Sequence, residues 1–213
     1  MKKLLLFALF VASLTPAHSA RAQVFGQYTP AEILRVNARL GGAYVDFSKD
    51  VVGALGQLRL SFYPNVDFGF QGGLARFDAN ANTKKTMLQL GADFRFGVAR
   101  VSERLPVDIA VGAGFGVETS DQYHVLRFGP MGVASRTFTM SPSASIAPYA
   151  GVMLSFASRD VAGSNDTDFS IPIRFGAELR AIPGVRVTAE LQLRLGDDFN
   201  DHTAFAGGVN LPF

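Results

Sequence analysis

The chain ends in residues 205–213, FAGGVNLPF, and this stretch indicates the fold more clearly than any other. In an extended strand, successive side chains point to opposite faces. Phe205, Val209, Leu211 and Phe213 therefore share one face, while the other face carries small or polar residues. The pattern predicts an amphipathic β-strand whose last residue is aromatic.

The same two-residue period recurs along most of the chain. The clearest copy is 185-VRVTAELQLRL-195, in which apolar residues alternate strictly with polar ones. About nine to eleven residues is the length of a tilted strand that spans a bilayer. Similar segments lie at residues 34–47, 58–62, 66–74, 88–98, 107–117, 125–138, 146–156 and 169–179. Together with the terminal segment they predict about ten strands, an even number, with eight as the alternative.

The N-terminus carries an export signal. Residues 1–3 are basic at two positions, and residues 4–14 form an apolar run of about eleven residues, the length of a signal-peptide core. Ala20-Arg21-Ala22 is an A-x-A cleavage site, so we expect a signal peptide over residues 1–22. No later segment has the ~18 consecutive apolar residues of a membrane-spanning helix. If the exported chain spans a membrane, it must do so as a closed barrel.

Composition excludes several classes of protein. The formal net charge is +2, and the expected signal peptide supplies three of the cations, so a nucleic-acid partner is not indicated. The absence of cysteine excludes disulfides and a lipid anchor. The sequence has 22 glycines and 19 phenylalanines but no tryptophan, which suits glycine-interrupted strands with phenylalanine in the interfacial belts.

The connections between the predicted strands are of two kinds. Turn-like links occur at residues 64–65, 99–106, 139–145 and 182–184. Longer polar segments occur at residues 48–53, 78–85, 119–123, 157–168 and 196–202. Short turns on the periplasmic side and longer loops on the extracellular side are typical of an outer-membrane barrel.

The start of the barrel has two interpretations. Residues 29–32, TPAE, form a helix-start pattern, with Thr29 as the cap, Pro30 first and Glu32 three residues after the cap. Residues 34–40 also alternate as a strand, and an even strand count favours the strand. We therefore predict a periplasmic segment over residues 23–32 and a barrel over residues 33–213.

Alternation alone does not say which face meets water, because a soluble lipocalin-like barrel has the same period. The polar face decides the question, since it combines rows of glycine with large charged side chains. A narrow lumen has this composition, because bulky groups need small neighbours. The predicted lumen network contains Arg95, Arg174, Glu178, Arg180, Glu190 and Arg194. The fold class is therefore a closed antiparallel up-and-down transmembrane β-barrel.

The terminal strand ending at Phe213 resembles the assembly signal of the small Gram-negative outer-membrane β-barrel proteins. The resemblance covers nearly the whole mature chain. It implies a place in the bacterial outer membrane as a monomer, contact with membrane lipids and lipopolysaccharide, and recognition by the barrel assembly machinery through Phe205, Val209, Leu211 and Phe213. Pro212 departs from the pattern and predicts a frayed last pair.

That family includes structural barrels, adhesins, pores and a few enzymes, so the resemblance implies location more than activity. We expect a side-chain-filled lumen and a structural or surface-interaction role through the extracellular loops. A narrow pore or carrier for small solutes or apolar molecules is the alternative.

A surface hydrolase using His124 or His202 is the second alternative. Neither histidine has the spacing to its neighbours that the omptin proteases or the lipid A deacylases show. The acidic segments 163–168 and 196–201 lack the full EF-hand spacing of a calcium loop. We therefore predict no enzyme, and assign no catalytic residue, metal or cofactor.

Overall fold

The computed structural model describes residues 28–48, 51–80, 83–102, 105–121, 123–161, 164–195 and 203–213. These residues form strands joined by turns, and they contain no helix long and apolar enough to cross a membrane.

Twelve strand segments build the fold. They are β1 (Arg39–Ser48), β2 (Val51–Tyr63), β3 (Val66–Asn80), β4 (Thr83–Ala99), β5 (Asp108–Ser120), β6 (Tyr123–Ser135), β7 (Phe138–Ser141), β8 (Ala144–Met153), β9 (Ser155–Val161), β10 (Ser164–Ile182), β11 (Val185–Leu195) and β12 (Thr203–Pro212). Segment β7 continues β6, and β9 continues β8, so the segments make ten barrel strands.

The ten strands close into a ring in which every neighbour is antiparallel. Successive strands pair with each other, and β12 returns to pair with β1 from Leu40↔Pro212 to Ser48↔Ala204. The predicted closed up-and-down barrel of ten strands is confirmed, and the eight-strand alternative is wrong. Both β1 and β12 meet at the end that carries the tight turn at residues 63–66, which we call the inner end.

The break between β8 and β9 has a local cause. Pro130 of β6 has no N–H to donate to the neighbouring strand. Leu154 lies opposite it and donates its own N–H to the Pro130 carbonyl at 3.0 Å. Side chains on both sides of the break keep the same alternation, with Ser155 buried and Leu154 exposed. The interruption therefore leaves the barrel wall continuous.

The structure corrects the prediction for the start of the barrel. Residues 28–38 form neither the favoured strand nor the alternative helix, and β1 begins at Arg39. The amides of Ala31 and Leu34 donate to lumen side chains, which replace the strand ladder. Asn37 then adopts a left-handed conformation with φ of 64°, which turns the chain into β1.

The predicted asymmetry of loop length is also wrong. At the outer end, the pairs Ser48↔Val51, Asn80↔Thr83, Ser120↔Tyr123 and Val161↔Ser164 each close a hairpin with two residues between them. The described residues within the two predicted long loops, 78–80, 83–85, 157–161 and 164–168, continue the strands instead. The hydrogen bonds between antiparallel strands form in water as well as in lipid. The strands can therefore continue beyond the bilayer, where their side chains are polar. The connection at 196–202 lies outside the described residues.

The outward face is apolar on all ten barrel strands. Phe94 and Phe96 are 48% and 46% exposed, while Arg95 between them is 1% exposed. Exposed apolar side chains on the ten strands include Val45, Leu58, Phe70, Leu90, Phe115, Phe128, Phe156, Phe175, Val187 and Leu211. An apolar surface that encircles a protein marks contact with lipid. The predicted orientation of the two faces is therefore the one found.

Phenylalanines pair across strands near both ends of this apolar surface. Phe47 stacks on Phe205 near the outer end with ring centroids 5.9 Å apart. Phe62 and Phe68 pack at 6.4 Å beside the tight turn at the inner end. Aromatic pairs across strands add to sheet stability. Phenylalanine thus occupies positions where tryptophan is common in other barrels.

We predict that Phe94→Arg lowers the free energy of unfolding from lipid vesicles by about 2–4 kcal/mol, because it places a charge on the lipid face. Urea titration of vesicle-inserted protein measures this change. Phe94→Leu, which keeps the face apolar, is the control and is expected to lose much less. Equal stability of the two variants would contradict the lipid-facing assignment.

Candidate functional site: the barrel lumen

The lumen is lined by polar side chains that are almost completely buried. Of the predicted network, Arg95, Arg174, Glu178, Glu190 and Arg194 are each at most 6% exposed. Arg180 faces the same way but lies at the inner rim, with its side chain 23% exposed. The structure divides the other five residues among separate clusters along the barrel, while Arg174 lies opposite Gly151 of β8.

The tightest cluster joins β2, β3 and β4 in the inner half of the lumen. Arg59 lies 2.5 Å from Asp67 and 2.6 Å from Asp93, and Arg95 lies 2.8 Å from Asp67. Gly69 sits between these groups, and any side chain there would collide with the Asp93 carboxylate. Two arginines and two aspartates neutralise each other in a space that glycine keeps open.

A second cluster is built around two tyrosines. The Tyr28 and Tyr44 rings stack with centroids 4.2 Å apart. The Tyr44 hydroxyl donates to Asn210 Oδ1. Gly208 leaves the space that the Tyr44 ring occupies, because a side chain there would overlap the ring. Burial raises the pKa of the Tyr28 phenol well above its usual value, so this group stays neutral.

Glu190 and Glu178 anchor the remaining interactions on the opposite wall. Glu190 accepts hydrogen bonds from Tyr149 at 2.7 Å and from Gln192 at 2.6 Å. Glu178 pairs with Arg180 at 2.8 Å and with Arg186 at 3.5 Å near the inner rim. Each of these two buried carboxylates therefore has a donor on its own strand or a neighbouring one.

The outer half of the lumen contains a cluster of three arginines. Asp168 lies 2.5 Å from Arg194 and 3.7 Å from Arg159. Arg127 lies 3.6 Å from Glu118 on the neighbouring strand β5. These three arginines are at most 9% exposed. The outer cluster therefore buries more cationic groups than the carboxylates that pair with them.

Residues 28–34 cross the inner mouth of the barrel. Tyr28, Thr29 and Ala31 are at most 4% exposed. The Pro30 carbonyl accepts a hydrogen bond from Arg95 at 2.7 Å, and the Ala31 amide donates to Ser135 at 2.9 Å. The segment is thus held in the mouth by side chains of the barrel wall.

Two further contacts hold the same segment. Glu32 pairs with Arg180 at 2.8 Å on the rim. Ile33 packs against Ala110, Val133 and Tyr149. Sequence reasoning missed this arrangement, because a helix-start pattern in residues 29–32 gives no sign of partners on distant strands.

The sequence also contained a signal for lumen residues that we did not single out. Arg59 stands between Leu58 and Leu60, and Asp67 stands between Val66 and Phe68. A charged residue at the inward position of an amphipathic strand must face the lumen once the outside is lipid. The two-residue alternation therefore predicts that the side chains of Arg59 and Asp67 point into the lumen, but it does not predict which residues they pair with.

The histidine alternative gains no support from the described part of the chain. His124 lies on the outer rim, and its Nδ1 is 2.7 Å from the Thr119 hydroxyl. No group of three or more metal-ligating side chains occurs among the described residues. His202 lies outside those residues, as do most of the acidic residues that precede it.

The predicted assembly signal lies where β12 closes the barrel. Phe205, Val209 and Leu211 point outward and are about half-exposed, and Phe213 is 70% exposed. The expected fraying at Pro212 does not occur, because Pro212 pairs with Leu40. Beyond it, the Phe213 amide donates to the Arg39 carbonyl at 3.1 Å. The role of these residues in assembly stays a prediction.

A closed antiparallel barrel with an apolar outside and a polar inside defines an outer-membrane β-barrel protein. No protein-family model matches the sequence, and no curated protein matches it either. The chain is similar in fold to an outer membrane channel from Pseudomonas putida F1, with 13% identity, 90% of this chain and 100% of that chain covered, and a TM-score of 0.46.

Two further solved structures are similar. The N-terminal β-barrel domain of OprF from Pseudomonas aeruginosa has 13% identity, with 84% of this chain and 98% of that chain covered and a TM-score of 0.35. The KdgM porin has 11% identity, with 82% and 99% covered and a TM-score of 0.39. These similarities concern the fold alone, and the class rests on the geometry of the barrel.

We predict that Asp67→Ala lowers the free energy of unfolding by about 3–5 kcal/mol, because it leaves Arg59 and Arg95 buried without their shared partner. Urea unfolding in vesicles measures the loss. Asp108→Ala is the control, since that carboxylate accepts an exposed hydrogen bond from Val101 and its removal should cost little. Similar losses for both variants would contradict a stabilising role for the cluster.

We predict that deleting Phe213 reduces the amount of folded barrel in the outer membrane. The deletion removes both the terminal aromatic residue and its hydrogen bond to Arg39. Heat-modifiable mobility of membrane fractions on gels reports the folded yield. Phe138→Ala, which removes an exposed phenylalanine from β7, is the control. An unchanged yield after the deletion would show that Phe213 is not an assembly signal.

Proposed function

We propose that this protein is a structural barrel of the outer membrane whose lumen is closed in its resting state. The observation that carries the proposal is the N-terminal segment across the inner mouth, bound by Arg95, Ser135 and Arg180. A second closure lies within the lumen, where paired charges from β2, β3 and β4 fill the inner half.

Paired charges favour a closed lumen for an energetic reason. Removing a charge from water costs several kcal/mol unless a partner is close. Arg59, Asp67 and Asp93 are each at most 9% exposed, and their partners lie within hydrogen-bonding distance. A water-filled channel would leave such lining groups hydrated, whereas here they contact one another.

The short outer connections support a structural role over surface binding through loops. Four outer hairpins close with two residues between their last paired positions. These four connections themselves offer few loop residues to a protein partner, because a specific interface needs about 20–30 residues a side. We therefore favour a role within the membrane plane, without enzymatic activity.

A gated narrow pore is the second candidate, favoured by how residues 28–34 are held. Residues 28–34 bond to side chains of the wall, and the chain joins the backbone pairing of the barrel only from residues 37–38 onward. Its release would uncover an inner lumen lined by Arg95 and Asp67. Such a passage would admit small polar solutes.

The cellular setting completes the proposal. Export would proceed through a signal peptide cleaved after Ala22, and insertion through the barrel assembly machinery. The apolar belt would then contact membrane lipids and, on the outer leaflet, lipopolysaccharide. A closed hydrogen-bonded ring has no free edge, which suits a monomer.

We predict that the mature protein is electrically silent in planar bilayers. Deletion of residues 23–38 should leave the barrel silent if the paired charges close the lumen by themselves, and should produce discrete conductance steps if the barrel is a gated pore. The deletion removes the segment that covers the inner mouth. Arg35→Gln, at an exposed position of the same segment, is the control and should stay silent. Steady conductance by the unaltered barrel would overturn the closed-lumen proposal, and silence after deletion of a folded barrel would exclude the gated pore.

A further inference from the structure

The outer half of the lumen contains a patch of inward-facing polar side chains, and several hydrogen-bond donors within it lack partners among the described residues. It lies on adjacent strands β6, β9, β10 and β11, beneath the outer mouth. Its members are Arg127, Ser155, Arg159, Asp168, Ser170 and Arg194, all of which point inward. We call this set the outer arginine patch.

The register of the strands brings these residues together. Ser155 lies directly opposite Ser170 in the pairing of β9 with β10. Ala157 lies opposite both Asp168 of β10 and Arg127 of β6. Because its side chain is a single methyl group, Ala157 leaves room among the longer side chains that surround it.

Several donors in the patch have no acceptor within the described part of the chain. They are Nε and Nη1 of Arg127, Nε of Arg159, and the hydroxyls of Ser155 and Ser170. A buried polar group without a partner costs about 1–3 kcal/mol. The donors converge on one wall of the lumen, so a single ligand with several acceptor atoms would satisfy them together.

The patch selects the chemistry of that ligand. A guanidinium has no acceptor, and its planar N–H groups match the oxygens of carboxylates and phosphates. The Asp168 and Glu118 carboxylates engage only part of the donor set, at Arg194, Arg159 and Arg127. Donors that remain after these contacts favour an oxyanion and disfavour a cation.

The position of the patch sets the direction of entry. Asp168 is 30% exposed, so solvent reaches this level of the lumen from the outer end. Asp166 lies opposite Arg159 at the rim, where its carboxylate is exposed and accepts from the Thr167 amide. A free solute can therefore approach from outside, while the barrel wall separates the patch from lipid headgroups.

We propose that the outer arginine patch is a binding site for a small oxyanion, a phosphate or carboxylate group, that enters from the extracellular side. Arg127 and Arg159 donate to the anion through their unpartnered N–H groups, and Ser155 and Ser170 donate from the floor of the site. With the inner mouth covered, the site would capture a solute without transporting it.

The test is isothermal titration of the folded, full mature barrel in detergent with sodium phosphate, against sodium chloride at equal ionic strength. We expect saturable binding of phosphate and none of chloride. The double variant Ser155→Ala/Ser170→Ala should weaken phosphate binding about tenfold, because it removes two donors and no charge. Arg127→Gln should weaken it at least as much.

Arg136→Gln is the matched control, since this exposed arginine lies over the Phe138 ring away from the patch. It should bind phosphate like the unaltered protein.

A second arm of the experiment replaces phosphate with acetate. If acetate binds and the serine variant weakens its binding to the same extent, a carboxylate is favoured as the ligand. Heat-modifiable mobility confirms folding, and the serine variant keeps the test decisive if Arg127→Gln does not fold.

Absence of saturable phosphate and acetate binding by the unaltered barrel would overturn the inference. Binding that the serine variant leaves unchanged would also overturn it, because the anion would then lie elsewhere. The outcome is independent of the closed-lumen proposal. A barrel that conducts and still binds phosphate through Ser155 and Ser170 would contradict that proposal and retain this one.

Discussion

The structure depends on the requirement that no backbone N–H or C=O group be left unpaired in lipid. A sheet meets it only by closing, and closure here is the pairing of β12 with β1 from Leu40↔Pro212 to Ser48↔Ala204. The same requirement explains how the wall tolerates Pro130, since Leu154 bonds to its carbonyl and the ladder resumes on both sides. Once the ring is closed, the two-residue period divides all side chains between lipid and lumen.

The lumen then imposes a second requirement, because charges enclosed there must find partners. Arg59 shows how the chain satisfies it, with Asp67 and Asp93 on the next two strands and Gly69 leaving space between them. Glycine on the inward face therefore matters because its lack of a side chain leaves space, and not only because its backbone is flexible. It permits large ionic side chains to cross a narrow interior and bond with one another.

The sequence predicted the direction of side chains much better than their partners. Phe94 and Arg95 could be assigned to opposite faces because alternation is a local property. The partner of Arg95 could not be assigned, since Asp67 is 28 residues away and their meeting depends on strand register. The inner segment was missed for the same reason, as the Ala31 amide bonds to Ser135 across 104 residues. The lengths of four outer loops were predicted wrongly, because polar residues beyond the bilayer still pair as strands.

The two ends of the lumen differ in a way that bears on function. At the inner end, Arg95 donates to Asp67 and to the Pro30 carbonyl, so the segment that covers the mouth accepts a hydrogen bond from the wall. At the outer end, Arg127 and Arg159 retain N–H groups without acceptors among the described residues. Buried donors are costly where nothing accepts from them. Partnerless polar atoms also occur at the inner end, at Arg59 Nε and the Tyr28 hydroxyl, but there the N-terminal segment covers the mouth. The outer donors face a lumen that the segment does not cover, and this difference is what the proposed oxyanion site rests on.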